Sequence, residues 1–166
     1  MYETIEDFIK DWRREASATL KIFRTLTNTS LEQKVCSEGR SLGFIAWHIT
    51  KSIKEMGERT GLNIPAPGEN IPTPNDAREI ADVYLNASQA LLQQVQTKWT
   101  DAALHDEMEM FGERWKRGFT LASIISHQTH HRGQMTVLMR QAGLPVPGVC
   151  GPSREEWIKW GMQPKQ

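Results

Sequence analysis

The sequence predicts an all-α protein, a four-helix bundle, on three observations. Apolar residues recur at intervals of three and four along four long stretches. Capping residues, glycines or prolines bound those stretches. A proline-rich segment between the second and third is long enough to cross the bundle from end to end. At 166 residues the chain is expected to form one domain, 1–166, with enough length to bury a substantial core.

The first helix follows Ile5, Phe8, Ile9, Trp12, Ala16, Leu20 and Phe23 to about Leu26, and Thr4 with Asp7 makes a start like a capping box. The polar run Thr27-Asn28-Thr29-Ser30 breaks it. A second helix begins near Ser41 and runs through Leu42, Ile45, Ile49, Ile53 and Met56 to Gly61, carrying His48. Four of the eight prolines fall between Ile64 and Pro74, which makes that segment extended. Thr73, Pro74 and Asp76 restart regular structure, read as a threonine cap, a proline at the first helical position and an acid in the first turn. The third helix then follows Ile80, Tyr84, Ala87, Leu91 and Val95 to about Thr97. From Asp101 to Gly118 the periodicity is lost, and the segment is either a small hairpin around Gly112 or a long connection. The last long helix spans about Thr120 to Ala142, with Gly143 at the left-handed cap position. Ser153-x-x-Glu156 caps a short terminal helix through Trp157 and Trp160.

Composition excludes several function classes. Lysine plus arginine equals aspartate plus glutamate at 20 each, so no excess charge steers the chain towards nucleic acid. The cluster Arg114-Trp115-Lys116-Arg117 is too short to reverse that. No apolar run reaches membrane length, and the acidic start Glu3-Thr4-Ile5-Glu6-Asp7 is unlike a signal peptide, so a cytoplasmic location is expected. Cys36 and Cys150 are too few for a disulfide framework and are expected to be free thiols.

The chemistry concentrates in Ser126-His127-Gln128-Thr129-His130-His131-Arg132-Gly133-Gln134 and in Trp47-His48. His127 and His131, four apart on a helix, project about 40° apart on one face, a spacing that lets two imidazoles close on one cation. His48 is the candidate third ligand, since the other histidines are His130 on the same turn and His105 in a charged segment. Three protein nitrogens leave a coordination position open, as in catalytic rather than structural centres. Thr120, Ser123, His127, His131 and Gln134 form a polar line beside the apolar stripe of the last helix, and each buried member needs a partner. His130 projects away from the core, towards solvent, a subunit contact or a supporting role. Along the second helix, Ser52 and Glu55 lie one and two turns past His48, and Glu55 is the candidate catalytic base. A histidine pair at this spacing also occurs in many helices that bind nothing, so the third imidazole carries most of the weight.

Three segments resemble the DinB family, the DNA-damage-inducible and YfiT-like group. They are Ser41-Leu42-Gly43-Phe44-Ile45-Ala46-Trp47-His48-Ile49, then His127 to Gln134, and Gly143 to Gly148 followed by Gly151-Pro152-Ser153. The resemblance implies an up-down-down-up bundle, a homodimer, and a divalent ion such as nickel or zinc on three histidines, carried over here to His48, His127 and His131. It also implies thiol-dependent transfer, with a low-molecular-weight thiol such as bacillithiol or mycothiol as cosubstrate and a small electrophilic substrate. Metal-dependent hydrolysis and non-catalytic metal binding in a stress response are the competing expectations. DNA binding is suggested by the family's name alone, and the balanced charge opposes it.

Overall fold

The computed structural model describes residues 1–164. Four long helices are present: α1 (Ile5–Thr25), α2 (Leu42–Arg59), α3 (Ala77–Lys98) and α4 (Arg117–Gln141). A two-stranded hairpin, β1 (Glu107–Met110) and β2 (Glu113–Lys116), precedes α4, and a short α5 (Arg154–Lys159) follows it.

Each helix packs on two others, α1 on α3 and α4, and α2 on α3 and α4. Their directions follow from which ends meet. Asn28, just past α1, accepts a hydrogen bond from the Ala77 amide at the start of α3 (2.9 Å), so α1 and α3 are antiparallel. Arg59 at the end of α2 lies over the Phe111 ring, just before α4, so α2 and α4 are antiparallel as well. The Asn63 amide, past the end of α2, donates to Gln94 late in α3 (2.9 Å), which makes that pair parallel. Tyr2 meets Gly118 at the starts of α1 and α4 (3.2 Å), so these also run parallel. The result is the expected up-down-down-up bundle, with the proline-rich segment as the long crossover between α2 and α3.

Capping fixes the helix ends much as the sequence indicates. Thr4 accepts from the Asp7 amide and Ser41 from the Phe44 amide. Ser153 and Glu156 complete a reciprocal capping box on α5. Gly61 and Gly143 adopt φ of 85° and 73°, and each is followed by the paired backbone bonds that satisfy the last carbonyls of α2 and α4.

Two helix starts differ from the sequence reading. For α3 the cap is Asp76, whose carboxylate accepts from Arg78, rather than Thr73. Pro74 therefore lies before the helix. Asn28 takes the neighbouring Ala77 donor, a tertiary contribution to the cap that local sequence does not show. For α4 the helix starts at Arg117, three residues early, and Gly118 in its first turn lets the N-terminal segment pass against it. A Cβ at Gly118 would stand 2.3 Å from the Tyr2 carbonyl oxygen.

The hairpin forms with Met108 opposite Trp115 and Met110 opposite Glu113. Its two turn residues, Phe111 and Gly112, both have positive φ (53° and 84°), the twist that a two-residue hairpin favours. In the core, Phe8, Trp12, Phe23, Ile49, Tyr84 and Leu91 are almost fully buried, and the Trp12 indole donates to the Ser88 carbonyl. Among the described residues no helix is long and apolar enough to cross a membrane. Cys36 and Cys150 are exposed free thiols.

Candidate metal centre

His48 faces α4 from the first half of α2, and His127 and His131 face it from the middle of α4. The antiparallel packing of these two helices brings the three imidazoles together. Ring centroids stand 4.9 Å apart for His48 and His127, 4.8 Å for His48 and His131, and 4.5 Å for His127 and His131. One candidate ligand atom from each lies within 4.8 Å of the others, and no fourth histidine, cysteine or carboxylate joins them among the described residues. The Nε2 atoms of His48 and His127 are 3.1 Å apart. Ligands on a tetrahedral zinc at 2.0–2.1 Å stand roughly 3.3 Å apart, so this pair is already at chelating separation.

The orientation of His131 is set by a neighbour. Its Nδ1 lies 2.8 Å from Oε1 of Gln134, and when Nδ1–H donates there, Nε2 presents its lone pair to the cluster. The Gln134 amide in turn lies 3.1 Å from Nε2 of His130, which is exposed. His130 thus contacts Gln134 rather than joining the cluster. Of the polar line read from sequence, Thr120 and His131 are buried, His127 is half-buried and Gln134 is at the surface.

Two predicted residues are not brought to the cluster. The Ser52 hydroxyl donates to the His48 backbone carbonyl (2.8 Å) and not to an imidazole. Glu55 is exposed, two turns or about 10 Å along α2 from His48.

Burial, then mutual repulsion and the cations Arg40 and Lys51, hold the imidazole of His48 at about 4. Burial and the neighbouring histidines, with Arg40, hold His127 at about 4 as well. Burial also lowers His131, against the opposing effect of its bond to Gln134. At neutral pH all three are therefore neutral donors, the form a metal requires. This donor set fits a divalent ion.

The same shifts make stability depend on pH. Unfolded histidines take up protons near 6.5, whereas His48 and His127 in the folded site do so only near 4. Between those values the unfolded chain binds more protons, so stability present above 6.5 is lost as pH falls towards 4. In metal-free protein the urea midpoint is expected to drop between pH 6.5 and 5, and a His48→Gln, His127→Gln double variant to flatten that slope. An equal slope in both proteins would contradict the burial of neutral imidazoles.

A buried polar network next to the site was not foreseen from sequence. Arg132, directly after His131, is 1% exposed. Its guanidinium donates to the Glu15 carboxylate (2.6 Å), to the Glu15 carbonyl (3.1 Å) and to the Thr19 hydroxyl (3.0 Å), all on α1. Gln128 accepts from the Tyr84 hydroxyl of α3 at 2.9 Å. Burial alone would raise the Glu15 carboxyl, but the hydrogen bond and charge of Arg132, with Arg14, outweigh it and hold it below its ordinary value. The network ties the histidine-bearing turn of α4 to the opposite helices. The sequence signal was the spacing of Gln128 and Arg132, one turn apart on a helix whose polar residues reach round to its buried faces.

Comparison with known proteins agrees with this architecture. The sequence model of the DinB family matches residues 1–165. The uncharacterized protein YrdA of Bacillus subtilis is 46% identical over 163 residues, covering 98% of each chain. The crystal structure of a DinB-like protein from Bacillus cereus superposes with a TM-score of 0.87 at 42% identity, covering 90% of this chain and 99% of the other. A second DinB-like protein, YjoA of Bacillus subtilis, shares the fold at a TM-score of 0.66 and 17% identity, over 84% of this chain and 96% of its own. With this bundle, this histidine cluster and these relatives, the chain belongs to the DinB family.

Proposed function

We propose that His48, His127 and His131 hold one divalent ion, zinc or nickel, and that the protein is a cytoplasmic, homodimeric enzyme transferring a low-molecular-weight thiol to a small electrophile. The observation that carries this reading is the convergence of three neutral imidazoles, with no fourth protein ligand among the described residues. A bound divalent ion supplies Lewis acidity, favouring the thiolate of a thiol that takes the open position. The chain's own residues do the rest. His48 and His127 remain unprotonated at neutral pH, and Gln134 fixes the tautomer of His131.

Among the described residues no carboxylate joins the three histidines, and Glu55 is exposed two turns along α2 from His48. A thiol, far more acidic than water, needs no carboxylate base once its proton is released to solvent. Glu55→Gln is accordingly expected to leave metal content unchanged and conjugate formation within about twofold of the parent. A loss exceeding about 100-fold, within the range assigned to general bases, would restore Glu55 to the mechanism.

The test of the proposal incubates metal-loaded protein with several small thiols and a chlorinated or epoxide acceptor, and follows the conjugate by mass spectrometry. Turnover that requires both the ion and a thiol is expected. Release of hydrolysed acceptor without thiol would favour the hydrolase, and no reaction with any thiol would favour a metal-binding role without catalysis.

A further inference from the structure

Beside the histidine cluster lies a cavity of about 420 Å³, between the segment leading into α2 and the second half of α4. Its size is that of a small-molecule site. Val35, Ile45, Val137 and Leu138 give it apolar walls, and Arg40 and Gln134 are the polar side chains lining it. Gln134 is the same residue that touches Nδ1 of His131 (2.8 Å), and Ile45 is three residues before His48, so the cavity adjoins the cluster. Val35 and Val137 are 67% and 55% exposed, apolar surface that a ligand would cover.

The charge pattern selects the kind of ligand. Arg40 stands over the Phe44 ring at 5.4 Å and makes no ion pair among the described residues. Arg40 is exposed, and it is the charged side chain among those lining the cavity, Gln134 being neutral. An apolar pocket with one unpaired guanidinium at its edge suits a ligand that is apolar over most of its length and anionic at one end.

We propose that this cavity binds an aliphatic carboxylate, its carboxylate on Arg40 and its chain among Val35, Ile45, Val137 and Leu138. That such a molecule is the substrate of the neighbouring centre rests on the metal-site reading; the binding itself does not. The guanidinium supplies two parallel donors for the carboxylate, and each methylene buried against the four aliphatic side chains adds apolar contact.

The experiment uses metal-free full-length protein and straight-chain carboxylates from butanoate to octanoate, with octanol as the neutral control, followed by calorimetry or NMR shifts of Val137 and Leu138. Saturable binding is expected, tightening by about fourfold per added methylene. Arg40→Gln is expected to weaken octanoate by about tenfold, as for loss of a charged hydrogen bond, while leaving octanol unchanged. Val137→Trp, at a surface position that tolerates bulk, is expected to weaken both. Absence of saturable binding, affinity independent of chain length, or an Arg40→Gln variant that binds octanoate normally would each overturn the proposal. So would a Val137→Trp variant that dissociates a dimer of a protein that binds no carboxylate, which would make the apolar patch a contact between copies. Zinc uptake measured separately distinguishes the two readings. Octanoate binding without zinc uptake retires the metal centre and keeps the cavity, and zinc uptake without octanoate binding does the reverse.

Discussion

Replacement of His48, His127 or His131 by alanine is expected to lower the affinity for zinc or nickel by more than about 100-fold in each variant, beyond the range seen for residues that merely orient a ligand. The reason is geometric. Three imidazoles with ligand atoms within 4.8 Å of one another, and no fourth protein ligand among the described residues, leave no substitute when one is removed. Gln134→Ala, which removes only the partner of His131 Nδ1, is expected to cost less, about 10-fold to 100-fold. Competition with a chromophoric chelator measures both, and circular dichroism checks the fold, since His131 is buried. Stoichiometric metal retained in all three histidine variants would remove the centre.

The second large effect concerns stability. Glu15→Ala is expected to destabilise the protein by about 3 kcal/mol or more, because it leaves the guanidinium of Arg132 buried without its carboxylate. The cost comes from the orphaned charge, not from a strong attraction lost. A Glu15→Ala, Arg132→Met double variant should therefore recover much of the loss, since a well-packed apolar side chain replaces the buried cation. Urea unfolding gives both values. A loss below about 1 kcal/mol in the single variant, the range of exposed ion pairs, would mean that Arg132 escapes to solvent when its partner is removed.

The histidine cluster was legible because its information is local and periodic. His127 and His131 declare a shared face by their spacing, and His48 sits on the only other long helix that carries a histidine. The bundle was legible for the same reason, through apolar spacing and caps such as Thr4, Ser41 and Ser153. Where reading failed, the determinant lay elsewhere in the chain. Arg132 looks like a surface residue on its own helix, and its burial is explained by Glu15 and Thr19 of α1, more than 100 residues away. The starts of α3 and α4 meet Asn28 and Tyr2, neither of which is near them in sequence. The hairpin stayed ambiguous because Phe111, which holds φ of 53°, is not a residue that ordinarily announces such a turn. Glu55 lies on a helical stripe that the sequence reads correctly, and that stripe runs out to solvent two turns past His48.

Zinc-edge X-ray absorption on the loaded protein, with and without a small thiol, addresses the centre most directly. Three imidazole nitrogens at about 2.0–2.1 Å with one light exchangeable ligand are expected, the latter giving way to sulfur at about 2.3 Å when thiol is added. A shell lacking imidazole scattering, or one with a fourth fixed protein ligand that no thiol displaces, would contradict a three-histidine site open to a substrate.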